Sequence, residues 1–213
     1  MVDHMMKSLI AVLFGAFCVA AIPSTVSAAT TLTEAERQTV LEAQDWLQSV
    51  KTLSARFVQV GGGGQAVGRM LLKRPGLIRF DYSPPAKVLV VSDGVFVSFI
   101  DYEVGQVSQW PLSQTPLSYL VPETLDLMSE ADVDQVTRRG GKVSFRMRDP
   151  DNPEQGTITL EFAEQPYRML GWRVVDAQGQ ETAVALAGIE TNIELPKGGF
   201  TFATPKRPWD NDR

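Results

Sequence analysis

Between Gly68 and Tyr102 the chain reads GRMLLKRPGLIRFDYSPPAKVLVVSDGVFVSFIDY, and this stretch constrains the fold more than any other. Three apolar-rich runs are cut by Lys73-Arg74-Pro75-Gly76, by Pro84-Pro85 and by Asp93-Gly94. Runs of this length between turn signals predict an antiparallel β-meander. In Leu77 to Tyr82 the alternation is explicit: Ile78, Phe80 and Tyr82 share one face, Arg79 and Asp81 the other. Val88 to Val91 is apolar at every position, which predicts a strand covered on both sides.

The rest of the chain fits the same plan. Thr31 to Leu53 predicts the one long helix, with Thr33 and Glu36 as a capping box and Val40, Ala43, Leu47 and Val50 as an apolar stripe widened by Trp46 and Leu53. Such a helix packs on a sheet or plugs its opening. Strands follow at Ser54 to Val60, Val67 to Arg74, Val95 to Tyr102 and Val104 to Trp110, with a flexible loop at Gly61 to Gly64. Thr115 to Met128 changes character: a cap at Thr115, Pro116 at a first helical position, and a second short helix over Glu123 to Met128. Strand patterns return at Val133 to Arg138, Lys142 to Arg148, Gly156 to Phe162, Met169 to Asp176, Glu181 to Glu190 and Phe200 to Ala203. The expected fold is mainly β with short helices: an unclosed antiparallel barrel, or curved sheet, with an N-terminal helix and a helical lid.

The N-terminus predicts a signal peptide over residues 1–28. Lys7 precedes the 13-residue apolar run Leu9 to Ala21, and Val26-Ser27-Ala28 supplies small residues for cleavage. Residues 29–213 are then one exported domain, with Pro205 to Arg213 as a loose tail. Cys18 lies inside the apolar run and His4 precedes it, so the mature chain has neither cysteine nor histidine. Disulfides, thiol chemistry, a histidine base and most zinc or copper sites are excluded. The leader removes one charge of each sign, Asp3 and Lys7, and the net charge stays at −5, which argues against nucleic acid. Gly61 to Gly64 lacks the Lys-Ser/Thr of a phosphate cradle, and Asp149, Asp151 and Glu154 form an incomplete calcium loop. No G-x-S-x-G elbow occurs. Nothing points to a catalytic residue, a metal or a cofactor; the chain reads as a binding protein rather than an enzyme.

What remains is apolar. Met70, Leu72, Ile78, Phe80, Tyr82, Leu89, Val91, Phe96 and Phe99 lie on strands, and Leu117, Leu120, Val121, Leu125 and Leu127 lie in the short helices. One reading is an ordinary core; the other is a cavity under a lid. Here the chain resembles the periplasmic outer-membrane lipoprotein carrier family. The residues that carry the resemblance are Phe57-Val58-Gln59, Gly68, Leu72 to Gly76, Arg79 to Tyr82, Pro84-Pro85, Ser92 to Gly94, Asp101-Tyr102, Thr115 to Leu117 and Phe200 to Phe202, in order along nearly all of the mature chain.

The resemblance implies a periplasmic monomer that shields lipoprotein acyl chains. It takes them from an inner-membrane ABC transporter and delivers them to an outer-membrane acceptor, LolB where one exists. It implies a lipid cavity lined by Met70, Leu72, Ile78, Phe80, Tyr82, Leu89, Val91, Phe96, Leu117, Leu120 and Leu125. Arg74 is implied as the residue that ties the lid, with Ile78 on the cavity side four places later. Two other readings share the fold: a periplasmic sensor of lipid or lipoprotein, and the membrane-anchored acceptor itself. The absence of a cysteine at the cleavage point speaks against the acceptor.

Overall fold

The computed structural model describes residues 32–205; the predicted leader and residues 206–213 lie outside them. Helix α1 spans Glu34–Ser49. Thr33 caps it as the sequence predicts: its side chain accepts from the Glu36 amide, and the Glu36 carboxylate accepts from the Thr33 amide at 2.8 Å. The helix is shorter than the pattern suggested. It stops at a C-cap, Val50, and Leu53 belongs to the first strand, because an apolar residue at helical spacing serves a strand equally well once the helix has ended.

Eleven strands follow: β1 Thr52–Gly61, β2 Gly64–Lys73, β3 Leu77–Tyr82, β4 Val88–Ser92, β5 Phe96–Asp101, β6 Gln106–Pro111, β7 Asp132–Arg139, β8 Lys142–Arg148, β9 Gly156–Glu164, β10 Tyr167–Asp176 and β11 Glu181–Thr191. They form one antiparallel sheet in the order β6-β5-β4-β3-β2-β1-β11-β10-β9-β8-β7. Two meanders therefore meet where β1 pairs with β11, and the edges, β6 and β7, are consecutive in the chain. The crossover between them, residues 112–131, spans the opening of the unclosed barrel. Bulges in β7, β10 and β11 add local twist and bend.

The predicted loop at Gly61 to Gly64 is a tight hairpin. Gly61 pairs with Gly64, and Gly62 and Gly63 turn the chain at φ 55° and 80°, a geometry open to glycine at little cost. Gly68 is required for another reason. It sits opposite Phe57, and a β-carbon there would lie 2.7 Å from the Phe57 ring and 2.1 Å from the Asp81 carbonyl oxygen.

Three further expectations need correction. The crossover holds 3₁₀ turns at Leu112–Gln114 and Pro116–Tyr119 and one short helix, α2, at Leu127–Glu130. No helix forms over Glu123 to Met128 as a whole: Asp126 is the cap, its carboxylate accepting from the Ser129 amide, so the helix starts after it. The Thr115 hydroxyl donates to the Leu112 carbonyl at 2.9 Å instead of capping the next turn. Phe200 to Ala203 is irregular chain, not a strand.

Candidate functional site: the covered concave face

Strand alternation divides the sheet into two surfaces. On the concave one, register pairs Leu53 with Leu72, Ala55 with Met70, Met70 with Phe80, Leu72 with Ile78, and Phe80 with Val90. β8, β9 and β10 add Phe145, Met147, Leu160, Phe162 and Trp172, all buried in the same cluster. Aromatic rings run through it edge to face: Phe57 with Phe80 at 5.4 Å, Phe57 with Tyr82 at 5.0 Å, Phe80 with Trp172 at 6.0 Å. The Tyr82 hydroxyl donates to the Gln59 side-chain oxygen at 2.7 Å. Burial pushes the Tyr82 phenol pKa well above its ordinary value, against that hydrogen bond, so the ring stays neutral and the surface around it uncharged.

Two elements cover this face. α1 lays Val40, Ala43 and Leu47 on it, and the crossover adds Leu117, Leu120, Val121, Leu125 and Leu127, all in the same cluster. Of the residues the sequence put forward, Met70, Leu72, Ile78, Phe80, Tyr82, Leu117, Leu120 and Leu125 are brought together here. Leu89, Val91 and Phe96 are not. Leu89 pairs with Asp81 and Ile100, and Val91 with Arg79 and Ser98, which sets them on the convex surface. There Leu89, Val91 and Ile100 form a separate cluster under Phe200 and Phe202, and Phe96 is 43 % exposed. The unbroken apolar run of β4 hides this division, because both of its faces are covered.

The cover is attached through few polar contacts, and Arg74 is central to them. It is only 7 % exposed. Its Nε donates to the Val50 carbonyl at 2.9 Å, and its Nη1 donates to the Pro122 carbonyl at 2.6 Å. Val50 is the C-cap of α1, whose last turn holds no basic residue, so Arg74 supplies the cation that the negative end of a helix favours. One guanidinium thus joins the end of β2, the end of α1 and the crossover. Among the described residues no carboxylate shapes its electrostatics, and burial pushes its pKa down to about 10. The buried position therefore costs desolvation that two carbonyls only partly offset.

Three more hydrogen bonds strengthen the attachment. The Gly76 amide donates to the Val121 carbonyl at 2.8 Å. Gln48 Nε2 donates to the Leu125 carbonyl at 2.6 Å, and the Leu127 amide donates to Gln44 Oε1 at 2.9 Å. Gln44 and Gln48, four residues apart on α1, are not singled out by the sequence pattern. Nor are Phe145, Phe162 and Trp172, although the alternation of β8 and β9 (Val143, Phe145, Met147; Ile158, Leu160, Phe162) carries the signal for Phe145 and Phe162; Phe57 enters only through the family resemblance.

A curved, open antiparallel sheet with a large apolar concave face, shut by a helix and a crossover that a handful of polar bonds hold down, defines a binding protein for apolar ligands. Residues 48–203 match the model of the family described as outer membrane lipoprotein carrier protein LolA, and the chain belongs to that family. It is 33 % identical over 170 residues to an outer-membrane lipoprotein carrier protein of Chromohalobacter salexigens, covering 75 % of this chain and 80 % of that one. It is 29 % identical over 182 residues to the protein of that name from Pseudomonas syringae pv. syringae, covering 81 % and 87 %. Among solved structures, an uncharacterized conserved protein from Thermus thermophilus aligns at 13 % identity with a TM-score of 0.49, over 80 % of this chain and 96 % of that one.

Proposed function

We propose that the chain carries lipoproteins through the periplasm by housing their acyl chains on the concave face. The observation that supports this most directly is the composition of that face and its cover: predominantly apolar, contributed by both halves of the sheet, and closed by elements that take no part in the strand pairing. An acyl chain of about 15 methylenes gains on the order of 12 kcal/mol on leaving water, at about 0.8 per methylene. A lipoprotein therefore stays in its membrane unless a carrier offers a comparable surface. That surface must be hidden when empty, because a large exposed apolar patch drives association.

The closed arrangement has these properties. Met70, Leu72, Ile78, Phe80 and Tyr82 provide the wall, and Leu117, Leu120 and Leu125 stand in for ligand when the site is empty. Arg74 sets the balance. Its two carbonyl bonds favour the closed form, while the desolvation of its charge disfavours it. The two states therefore differ by few kcal/mol, and cargo binding shifts the population by its preference for the open one. In this reading the chain accepts cargo from an inner-membrane ABC transporter and yields it to an outer-membrane acceptor, and its role is binding rather than catalysis.

A release assay checks the reading. The purified mature chain is added, with ATP, to inner-membrane vesicles holding a labelled lipoprotein. Label in a soluble one-to-one complex is the expected result. Label that stays in the membrane, with the added protein shown to be folded, refutes the carrier reading.

A further inference from the structure

β11 ends at Thr191. The next residue, Asn192, has φ 57° and is the one non-glycine residue at positive φ among the described residues. Asparagine enters that left-handed region more readily than most residues, and a residue held there answers a local demand. The demand is visible in its bonds, which run to the junction of α1 and β1. Asn192 Oδ1 accepts from the Lys51 amide at 2.8 Å, and Nδ2 donates to the Ser49 carbonyl at 3.1 Å, 141 and 143 positions earlier. The Asn192 amide donates to the Thr52 carbonyl at 2.7 Å. The Thr52 hydroxyl returns a bond to the Ile193 carbonyl at 2.6 Å. The two ends of the side-chain amide are not interchangeable, because the Lys51 amide only donates and the Ser49 carbonyl only accepts.

Asn192 thus grips the chain on both sides of Val50, and the Val50 carbonyl is the one that accepts from Arg74 Nε at 2.9 Å. A guanidinium is a rigid planar fork, so fixing Nε also aims Nη1, which reaches the Pro122 carbonyl of the crossover at 2.6 Å. Resting on the carrier reading above, we propose that Asn192 is a positioning residue for the closure. By holding Ser49 and Lys51 it turns the Val50 carbonyl toward Arg74, and through Arg74 it sets how often the concave face opens to an acyl chain. The Arg74 amide also donates to the Lys51 carbonyl at 2.9 Å, extending the β1–β2 pairing. That bond does not use the Asn192 side chain, so the junction keeps its path without it and loses only its aim. The two parts of the cover are then unequal. α1 is tied to the sheet at its C-terminal end and stays, and the crossover is the part that moves.

Asn192→Gly tests this, because glycine keeps the left-handed backbone at little cost and removes both side-chain bonds. Hydrogen exchange is followed in the full mature chain at the Gly76 amide, which bonds across the closure to Val121, with β8 amides as the control. The substitution is made with Arg74 present and again with Arg74→Leu. With Arg74 present, exchange at Gly76 is expected to rise about fivefold, the magnitude of one net hydrogen bond. With Arg74→Leu it is expected to add less than about twofold, because the two residues act through one contact. Affinity for a fluorescent diacylglyceryl cysteine amide rises alongside, since a binding-competent form populated more often binds more tightly. Asn192→Asp, which keeps an acceptor for Lys51 but sets a carboxylate against the Ser49 carbonyl, raises Gly76 exchange as well, again only with Arg74 present. A rise of equal size in both backgrounds, or one shared by the β8 amides, shows support of the fold instead of positioning and overturns the proposal. So does an unchanged Gly76 rate, or a raised rate with unchanged probe affinity. Failure of the probe to bind any form, wild type included, overturns the carrier reading, and the exchange result separates that failure from a missing link between Asn192 and Arg74.

Discussion

The two faces of β4 are both apolar and both covered, yet they are built for different ends. On the convex side, Leu89, Val91 and Ile100 lie under Phe200 and Phe202. The covering segment is held by Arg79, which donates to the Thr201 carbonyl at 2.7 Å while its other nitrogens make a paired bond to Asp81. The arginine there keeps its counter-ion, and the patch is small. On the concave side the apolar area runs across β1–β5 and β7–β11, and its arginine, Arg74, is buried with carbonyls alone. A neutralised arginine over a small patch suits a fixed strap; in the carrier reading proposed above, the un-neutralised one under a large patch lets the cover open at modest cost.

Mutation can undo this contrast, and the largest change is expected in the middle of the concave face. Phe80→Ala removes a ring that packs on Phe57 and Trp172, and is expected to lower the unfolding free energy by about 3–5 kcal/mol, read from denaturant curves. A cost below that of the convex substitutions would mean that the concave face is already loosely filled. Arg74→Leu comes next. Losing two charge-assisted bonds, partly offset by relieved desolvation, favours opening by about 2 kcal/mol, or roughly thirtyfold. The Gly76 and Leu127 amides, which bond across the closure, report it by hydrogen exchange; β8 amides should not change. Faster exchange throughout the sheet would show that Arg74 supports the whole fold instead of the closure.

Smaller effects are expected on the other side. Phe200→Ala and Phe202→Ala each cost about 1–2 kcal/mol, a part of what full burial of such a ring contributes, and leave acyl-probe affinity unchanged. Loss of binding in either variant would erase the distinction between strap and closure. Gln48→Ala removes one bond to Leu125 and should cost about 1 kcal/mol, speeding exchange at Leu127 more than at Gly76.

The same contrast shows how far sequence reaches. Ile78, Phe80 and Tyr82 can be assigned to one face because Arg79 and Asp81 mark the other. β4 offers no such marker: Val88 to Val91 is apolar on both sides, so its alternation says nothing about which side holds Leu89 and Val91. Only the β3–β4–β5 register settles it, and register is a long-range property. The capping box at Thr33 is legible because its chemistry is local. The bonds of Gln44 and Gln48 to residues about 80 positions away are not. Arg74 stands out through the family resemblance of its turn, but its burial depends on where α1 ends, and the apolar stripe runs past that end into β1. The crossover is recognisable as a break in strand pattern, while its 3₁₀ turns reflect packing on the sheet more than propensity.

The most direct test is to ask which face an acyl chain touches. A lipopeptide with a photoreactive group at the end of one acyl chain is bound to the purified chain, irradiated, and the adducts mapped by mass spectrometry. Adducts on Met70, Leu72, Ile78, Phe80, Leu117, Leu120 or Leu125 are the predicted result. Adducts confined to Leu89, Val91, Phe96 and the Phe200 to Phe202 segment would contradict it, and would make the convex patch the lipid site.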